Sequence, residues 1–183
     1  MALPRAVREA MRGVCWHADP RCPPLDSLAL LRLRYRGFDG REKAGELVVA
    51  GEVAEPVLWV FERLFAAGYP IARMERVEVF GGDDRRSMAA NNTSGFNFRP
   101  VEGEDRLSQH ALGLAVDLNP VQNPWVRSDR VDPEEGRPFV DRDRTHPAVI
   151  RRPGPVTEAF DAIGWEWGGD WTAYRDYHHF AAR

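Results

Sequence analysis

The sequence predicts a single α+β domain in which helices pack against an antiparallel sheet. Some stretches alternate apolar and polar residues, as half-buried strands do, and others repeat apolar residues at helical spacing. The chain has 183 residues, of which 43% are hydrophobic and 29% charged, a composition typical of a globular protein of one domain. No internal repeat or low-complexity tract divides it.

The first 24 residues predict a short helix followed by a proline-rich linker. We expect this segment to pack on the outside of a domain formed by residues 25–183. Cys15 and Cys22 are the only cysteines, and their spacing is compatible with either a disulfide or two free thiols. A metal site that adds His17 to them lacks a fourth ligand.

Residues 28–36 predict the first strand of the domain. Leu31, Leu33 and Tyr35 alternate with arginines, which places the apolar side chains on one face and the arginines in solvent. A turn signal follows at residues 37–40, and residues 46–50 predict the returning strand of a hairpin.

A helix is predicted from Pro56 to Ala67, ending at Gly68. Its apolar residues form one stripe that we assign to the core: Val57, Val60, Phe61, Leu64 and Phe65. Residues 71–80 predict a further pair of strands, and residues 81–84 a loop.

Polar residues then alternate with two phenylalanines, so that Asn97 and Arg99 share one face of an extended segment. If that face borders a cleft, the guanidinium of Arg99 can bind a substrate carboxylate or carbonyl oxygen. The alternative is a surface arginine paired with Glu102 or Glu104.

Residues 108–120 contain a candidate metal site. Ser108 is suited to cap a short helical turn that holds His110 and stops at Gly113. The alternation that begins at Leu114 predicts a strand on which Asp117 leaves the face opposite its apolar neighbours. A histidine and a carboxylate placed in this way can converge on one ion, since zinc accepts both at about 2.0–2.2 Å.

Residues 123–155 are charged and rich in proline, which predicts a long loop beside this site with a solvated surface. His146 lies in the loop, and we do not assign it to binding. A short helix follows over residues 156–163, ending at Gly164.

Three tryptophans and two histidines mark the last twenty residues. Trp165 and Trp167 indicate strand packing, and Trp171 is a candidate for the wall of a cleft. Neighbouring residues of a strand point to opposite faces, so only one of His178 and His179 should face a metal.

The acid that precedes these histidines is Asp176. An acid close in sequence to a histidine ligand recurs in zinc hydrolases, where it takes a proton from water.

These motifs together resemble the zinc D-alanyl-D-alanine carboxypeptidase and L-alanyl-D-glutamate endopeptidase family, which cuts the stem peptides of bacterial peptidoglycan. The resemblance rests on S-x-H-x-x-G-x-A-x-D at 108–117, G-W-x-W-G-G-D-W at 164–171 and D-x-x-H-F at 176–180. Residues 87–99 resemble the segment that carries the family's arginine. The resemblance runs from about residue 80 to the C-terminus, is weaker from about 25 to 75, and implies a Hedgehog/D-Ala-D-Ala-peptidase-like fold.

Carried over to this sequence, the resemblance implies that the zinc ligands are His110, Asp117 and His179. It implies Asp176 as the general base and Arg99 as a contact to substrate and oxyanion. His178 departs from the family pattern, which more often has an apolar or amide residue there. We favour His179 as the ligand because it keeps the three-residue offset from the acid.

Ser108 and Trp171 complete the predicted substrate-binding residues. The resemblance predicts a zinc-dependent peptidase that acts on peptidoglycan, with the L-alanyl-D-glutamate bond favoured because relatives that remove single D-alanines often carry glutamate as base. The alternatives are a D,D- or L,D-carboxypeptidase and, third, a non-catalytic zinc-stabilised module that binds the wall. We expect a monomer.

The net charge and hydropathy of the chain bear on two further classes of partner, nucleic acids and membranes. The net charge of −3 and the pI near 6.0 disfavour a nucleic-acid binder. No apolar run is long enough to span a membrane, and the first twelve residues lack the hydrophobic segment of a signal peptide. We expect an extracytoplasmic enzyme whose signal peptide is not in this chain, or alternatively a cytoplasmic phage-type lysin.

Overall fold

A computed structural model describes residues 1–183, which form four α-helices and ten strands. The helices are α1 (Arg5–Met11), α2 (Ala54–Ala66), α3 (Asp84–Ala89) and α4 (Pro155–Ala162). The strands are β1 (Leu28–Arg36), β2 (Glu42–Ala50), β3 (Arg73–Met74), β4 (Asn92–Thr93), β5 (Ala115–Asp117), β6 (Trp125–Arg127), β7 (Arg130–Asp132), β8 (Trp165–Trp167), β9 (Arg175–Asp176) and β10 (His179–Ala182). The result is a single small domain of mixed α and β structure.

The longest strands form the predicted hairpin. β1 pairs antiparallel with β2 over nine residues each, from Leu28 opposite Ala50 to Arg36 opposite Glu42. The second half of β1 is buried and exposed in alternation, as the sequence predicted. The first half is buried on both faces, because α1 covers the side that faces away from α2.

Helix α2 packs its apolar stripe against β1 and begins two residues before the predicted start. Val57, Val60, Phe61 and Leu64 are at most 2% exposed, whereas Phe65 is only half-buried. The same core extends to α4 and to the C-terminal sheet through four aromatic residues: Phe160, Trp165, Trp167 and Phe180. Strand packing by the first two tryptophans of the C-terminal motif is therefore observed.

The N-terminal segment has a smaller core of its own. Val7 and Met11 of α1 pack with both cysteines and with residues of β1 and β2. Cys15 and Cys22 are buried free thiols. This cluster joins residues 1–24 to the outer face of the hairpin.

Two predictions of local structure were wrong. Residues 71–80 do not form a strand pair: only β3 pairs, in parallel with β4, and Val77–Phe80 is a turn of 3₁₀ helix that buries Val77 and leaves Val79 exposed. One helical turn thus satisfies a pattern that also fits a strand. The predicted loop at 123–155 contains the β6–β7 hairpin and a 3₁₀ helix at Glu134–Phe139.

Two three-stranded antiparallel sheets meet near the C-terminus. One has the order β5-β10-β8 and the other β7-β6-β9. Only Tyr177 and His178 separate β9 from β10, so the chain passes from one sheet to the other within two residues.

No helix has both the length and the apolar character needed to cross a bilayer.

Candidate metal centre

The short turn at Gln109–Leu112 fixes His110. Ser108 precedes this 3₁₀ turn, and its Oγ accepts a hydrogen bond from the backbone N–H of His110 at 3.2 Å, as the capping prediction requires. Gly113 ends the turn with φ of 73°, and a Cβ on it would lie 2.5 Å from the backbone nitrogen of Ala50. Only glycine therefore lets the turn lie against β2.

A backbone carbonyl sets the orientation of the His110 ring. Its Nδ1 lies 2.7 Å from the carbonyl oxygen of Gly95. Because a carbonyl oxygen can only accept a hydrogen bond, Nδ1 carries the proton and Nε2 presents its lone pair to the site. A Cβ on Gly95 would lie 2.4 Å from the oxygen of Val48, so this carbonyl is also held against β2.

Asp117 and His179 face each other on paired strands. They are register partners in the β5–β10 ladder, and Asp117 is 2% exposed. Asp117 Oδ1 lies 3.0 Å from His179 Nδ1, and Oδ2 lies 3.1 Å from His110 Nε2. The two histidine nitrogens are 3.2 Å apart.

This donor set fits a zinc ion. One ligand atom from each of the three residues lies within 4.8 Å of the others. Ligand atoms around a tetrahedral zinc with bonds of about 2.0–2.1 Å are separated by about 3.3 Å, close to the contacts found here. Two imidazole nitrogens and one carboxylate oxygen are also the ligand types of catalytic zinc sites, which keep a position for water.

The Asp117 carboxylate and the neighbouring histidines stabilise each other's charged forms. Burial alone would raise the pKa of Asp117, but His110 and His178 hold it well below its usual range. Burial would likewise lower the pKa of His110, and the Asp117 carboxylate raises it above the ordinary value. Asp117 is therefore an anion that attracts a proton or a cation to the imidazoles.

His178 lies behind the ligand set and links it to Asp176. Its Nδ1 donates to the carbonyl oxygen of Asn123 at 2.8 Å. Its Nε2 lies 2.9 Å from Asp176 Oδ1 and 3.8 Å from Asp117 Oδ2. Burial opposes its charged form, but Asp176 and Asp117 raise its pKa to about 10.

Asp176 lies on β9, where its register partner is Trp125 of β6. Its side chain is 14% exposed, and Oδ1 makes no well-directed hydrogen bond although His178 is close. A carboxylate has two oxygens, so with Oδ1 next to His178 the other oxygen can take a proton from a bound reactant.

Arg99 lies beside the cluster but has a partner that the sequence did not indicate. Its Nη2 lies 2.7 Å from Asp84 Oδ2, at the start of α3. Neither of the acids considered as alternatives binds it, since Glu102 pairs with arginines of α3 and β7, and Glu104 pairs with Arg106. Asn97, predicted to share its face, donates to the oxygen of Gly82.

A row of aromatic rings begins at His179. The ring of Trp171 lies 5.4 Å from that of His179 and 5.3 Å from that of Tyr174. Trp125 extends this row, with its ring 5.7 Å from Tyr174. The structure thus places Trp171 next to a candidate ligand, and the other two rings were not singled out from the sequence.

His146 lies outside this cluster. Its ring contacts Phe38 and Phe139, at centroid distances of 5.3 and 5.5 Å. Its Nδ1 accepts a hydrogen bond from Ala148, and burial lowers its pKa. It stabilises the loop that contains it.

A protein-family model matches the C-terminal part of the chain. Residues 102–182 match the family model for D-alanyl-D-alanine carboxypeptidase. The matched segment contains all three candidate ligands and Asp176, whereas Arg99 and Asp84 precede it. No curated protein and no solved structure gives a significant match. The family match indicates a hydrolase of the peptidase type.

Proposed function

We propose that the protein is a zinc-dependent peptidase that hydrolyses the stem peptides of bacterial peptidoglycan, at the L-alanyl-D-glutamate bond. The convergence of His110, Asp117 and His179 within 4.8 Å, beside Asp176 and inside the matched segment, is the observation that supports this proposal most strongly. Such an enzyme acts outside the cytoplasm, or reaches the wall as a phage-type lysin does.

In this proposal the two histidines and Asp117 hold the zinc ion. A zinc ion held there would supply Lewis-acid polarisation of the scissile carbonyl and acidify water. The hydrogen bond from His110 Nδ1 to Gly95 and the pairing of β5 with β10 hold the ligands in place before any metal binds.

Asp176 acts as general base and then as general acid. Its carboxylate accepts a proton from the water whose oxygen bonds to the carbonyl carbon. It then returns that proton to the nitrogen as the C–N bond breaks, so that the amine leaves neutral. His178, at 2.9 Å, restrains the carboxylate throughout.

Arg99 supplies a hydrogen-bond donor for the carbonyl oxygen as that oxygen gains negative charge. The Nε of Arg99 is buried and has no partner within the protein, so it is available for such an acceptor. Trp171 and Tyr174 provide an apolar wall beside His179 for the flanking part of the substrate. Ser108 acts through His110, since its hydroxyl is engaged in capping.

A second candidate activity is that of a carboxypeptidase, which the description of the matching family favours. In that case Arg99 would bind the free carboxylate of a terminal D-amino acid. The two candidates differ in the bond that is cut and in the charge that Arg99 meets.

Mass spectrometry of peptidoglycan fragments tests the proposal. Purified fragments are incubated with zinc-loaded protein, with chelated protein and with the His179→Ala variant. We expect new termini after L-alanine with the zinc-loaded protein alone. Loss of one terminal D-alanine would support the carboxypeptidase instead, and no cleavage of several wall types by protein with bound zinc would contradict both.

A further inference from the structure

The Arg99–Asp84 ion pair is the best-defined charged contact next to the cluster that the proposed mechanism leaves unexplained. The 2.7 Å distance joins Arg99 Nη2 to Asp84 Oδ2, and each side chain is only about a quarter exposed, at 27% and 24%. Partial burial makes such a pair stronger and less sensitive to salt than a surface pair.

Backbone contacts fix this pair beside His110. The N–H of Ser108 donates to the oxygen of Arg99 at 3.1 Å, and the N–H of Asn97 donates to the oxygen of His110 at 3.1 Å. The segment that carries Arg99 thus runs alongside the turn of His110.

The guanidinium of Arg99 has two nitrogens engaged and one unused. Nη2 binds Asp84, and Nη1 makes a long contact of 3.4 Å to the oxygen of Pro100. Nε is buried without a partner. A buried donor that is left unsatisfied destabilises a protein, and an acceptor on a bound substrate would satisfy this one.

We propose that Asp84 is a positioning residue that holds Arg99 toward the site and makes the site favour a peptide carbonyl oxygen over a free terminal carboxylate. This inference rests on the proposed function. Asp84 itself does not touch the reacting atoms.

The preference follows from charge. A carboxylate bound to Arg99 would also lie close to the carboxylate of Asp84, and like charges that approach each other at a binding site are disfavoured. A carbonyl oxygen carries only a partial negative charge in the ground state and more in the transition state. The paired arginine therefore binds the reacting amide well and a chain terminus poorly.

The preference can be tested with two substrates that share the scissile bond and differ in the charge of the chain terminus. One is acetyl-L-alanyl-D-glutamate with a free α-carboxylate, and the other is the same peptide with an α-carboxamide. Asp84→Asn should lower kcat for the carboxamide by about tenfold and raise the ratio of carboxylate to carboxamide turnover by about tenfold, the range of a single charge contact. Asp84→Glu, which keeps the charge, should restore most of the wild-type preference.

Asp83→Asn is the matched control. Asp83 caps α3 by accepting a hydrogen bond from the N–H of Arg86, a role that asparagine also fills. This variant removes the same charge one residue away without touching Arg99, so its kcat and its substrate ratio should equal those of the wild type. Equal effects of Asp83→Asn and Asp84→Asn would overturn the proposal, because they would show a general charge effect.

A second measurement does not depend on turnover. The Nε–H resonance of Arg99, assigned by its loss in Arg99→Lys, should be sharp and slow to exchange in the wild type and in Asp83→Asn. It should exchange faster in Asp84→Asn. An unchanged resonance in that variant would overturn the positioning role, even if no substrate were cut. Turnover of neither peptide by wild-type protein with bound zinc would contradict the proposed function and leave the spectroscopic result to decide the role of Asp84.

Discussion

The hairpin and α2, over residues 28–66, are held together differently from the region that contains the candidate site. In the first region nine-residue strands and a thirteen-residue helix bury apolar faces against each other. In the second, over residues 92–182, the strands are two to four residues long. Strands of that length form few ladder hydrogen bonds, so other contacts must join them.

Buried asparagines provide many of those contacts. Asn119 is fully buried, and its Oδ1 accepts from the N–H of Ala72 while its Nδ2 donates to the oxygen of Pro70 at 2.8 Å. These groups lie almost fifty residues earlier in the chain. One amide side chain thus joins residues 70–72 to the segment that follows β5.

Asn123 joins three further segments. Its Nδ2 donates to the oxygen of Ala148 at 2.9 Å, and its Oδ1 accepts from the N–H of Ile150 and from Arg142 at 2.8 Å each. Its own carbonyl receives the hydrogen bond from His178. The position of the histidine behind the metal cluster therefore depends on a polar contact, whereas the position of α2 depends on apolar area.

The two regions therefore respond differently to a small shift in structure: the core region can adapt to it, whereas the site region loses hydrogen bonds. Apolar packing is non-directional and adapts to small shifts. Hydrogen bonds to buried amides are directional, and an unsatisfied group costs more than a lost bond contributes. The site residues are thus positioned by buried hydrogen bonds, each of which is harder to replace than an apolar contact.

The largest expected effect comes from Asp176, the proposed general base. Asp176→Asn keeps the shape of the side chain but cannot accept the proton, so kcat should fall by about 10²–10⁴-fold. Zinc stoichiometry, measured by atomic absorption, should remain that of the wild type because Asp176 is not among the proposed ligands. Loss of zinc in this variant would contradict the assignment of ligands.

Phe61→Ala removes a large buried side chain from the core region. It should reduce the free energy of unfolding by about 3–5 kcal/mol, because it leaves a cavity between α2 and β1. In the fraction that remains folded, zinc affinity should be nearly unchanged. A denaturant titration followed by zinc competition at low temperature separates the two quantities, and a marked loss of zinc affinity would show that the regions are coupled.

Asn123→Ala is the corresponding change in the site region. It should reduce the free energy of unfolding by about 1–3 kcal/mol, since it leaves Ile150 and Arg142 without their acceptor. Unlike Phe61→Ala, it should also weaken zinc binding, because it removes the side-chain contacts that hold the backbone carbonyl of residue 123 in place for His178. The same two titrations test this, and equal zinc affinity in both variants would show that the two regions do not differ in their effect on the metal site.

Zinc affinity should increase with pH. Asp117 raises the pKa of His110, so a proton competes with the metal to a higher pH than at an ordinary histidine. Apparent affinity should therefore be weak below the usual histidine range and still rise above it. Competition with a chromophoric chelator across pH measures this dependence, and an affinity that is constant above the ordinary histidine pKa would argue against the shift.

The smallest effect is expected on the exposed face of the hairpin. Arg32 pairs with Glu46 at 3.2 Å with its side chain 74% exposed. Arg32→Ala should change the free energy of unfolding by less than about 1 kcal/mol and leave both zinc binding and turnover unaffected. A larger change would mean that the hairpin surface contributes more than its exposure implies.

Sequence reasoning succeeded where structure follows from local pattern. The alternation in β1, the stripe of α2, the turn from Ser108 to Gly113 and the helix ending at Gly164 are all set by nearby residues. The roles assigned to the site residues stay predictions, although the structure brings His110, Asp117 and His179 together.

The features that the sequence did not predict depend on contacts between segments that are distant in the chain. Asp84 and Arg99 lie fifteen positions apart on segments of different type, so no periodicity could pair them. Residues 71–80 carry a pattern that one helical turn and a short parallel pair satisfy as well as two strands do. The position of His178 requires knowing that Asn123 presents a carbonyl to it.

Asp176 and His179 are close in sequence but are anchored in different sheets. The position of the acid is set by β6, whereas the position of the ligand is set by β5. Sequence changes in the β6–β7 hairpin can therefore move the acid against a constant metal cluster. If the proposed function is correct, this separation lets a lineage change the bond that it cuts while the three proposed metal ligands remain the same.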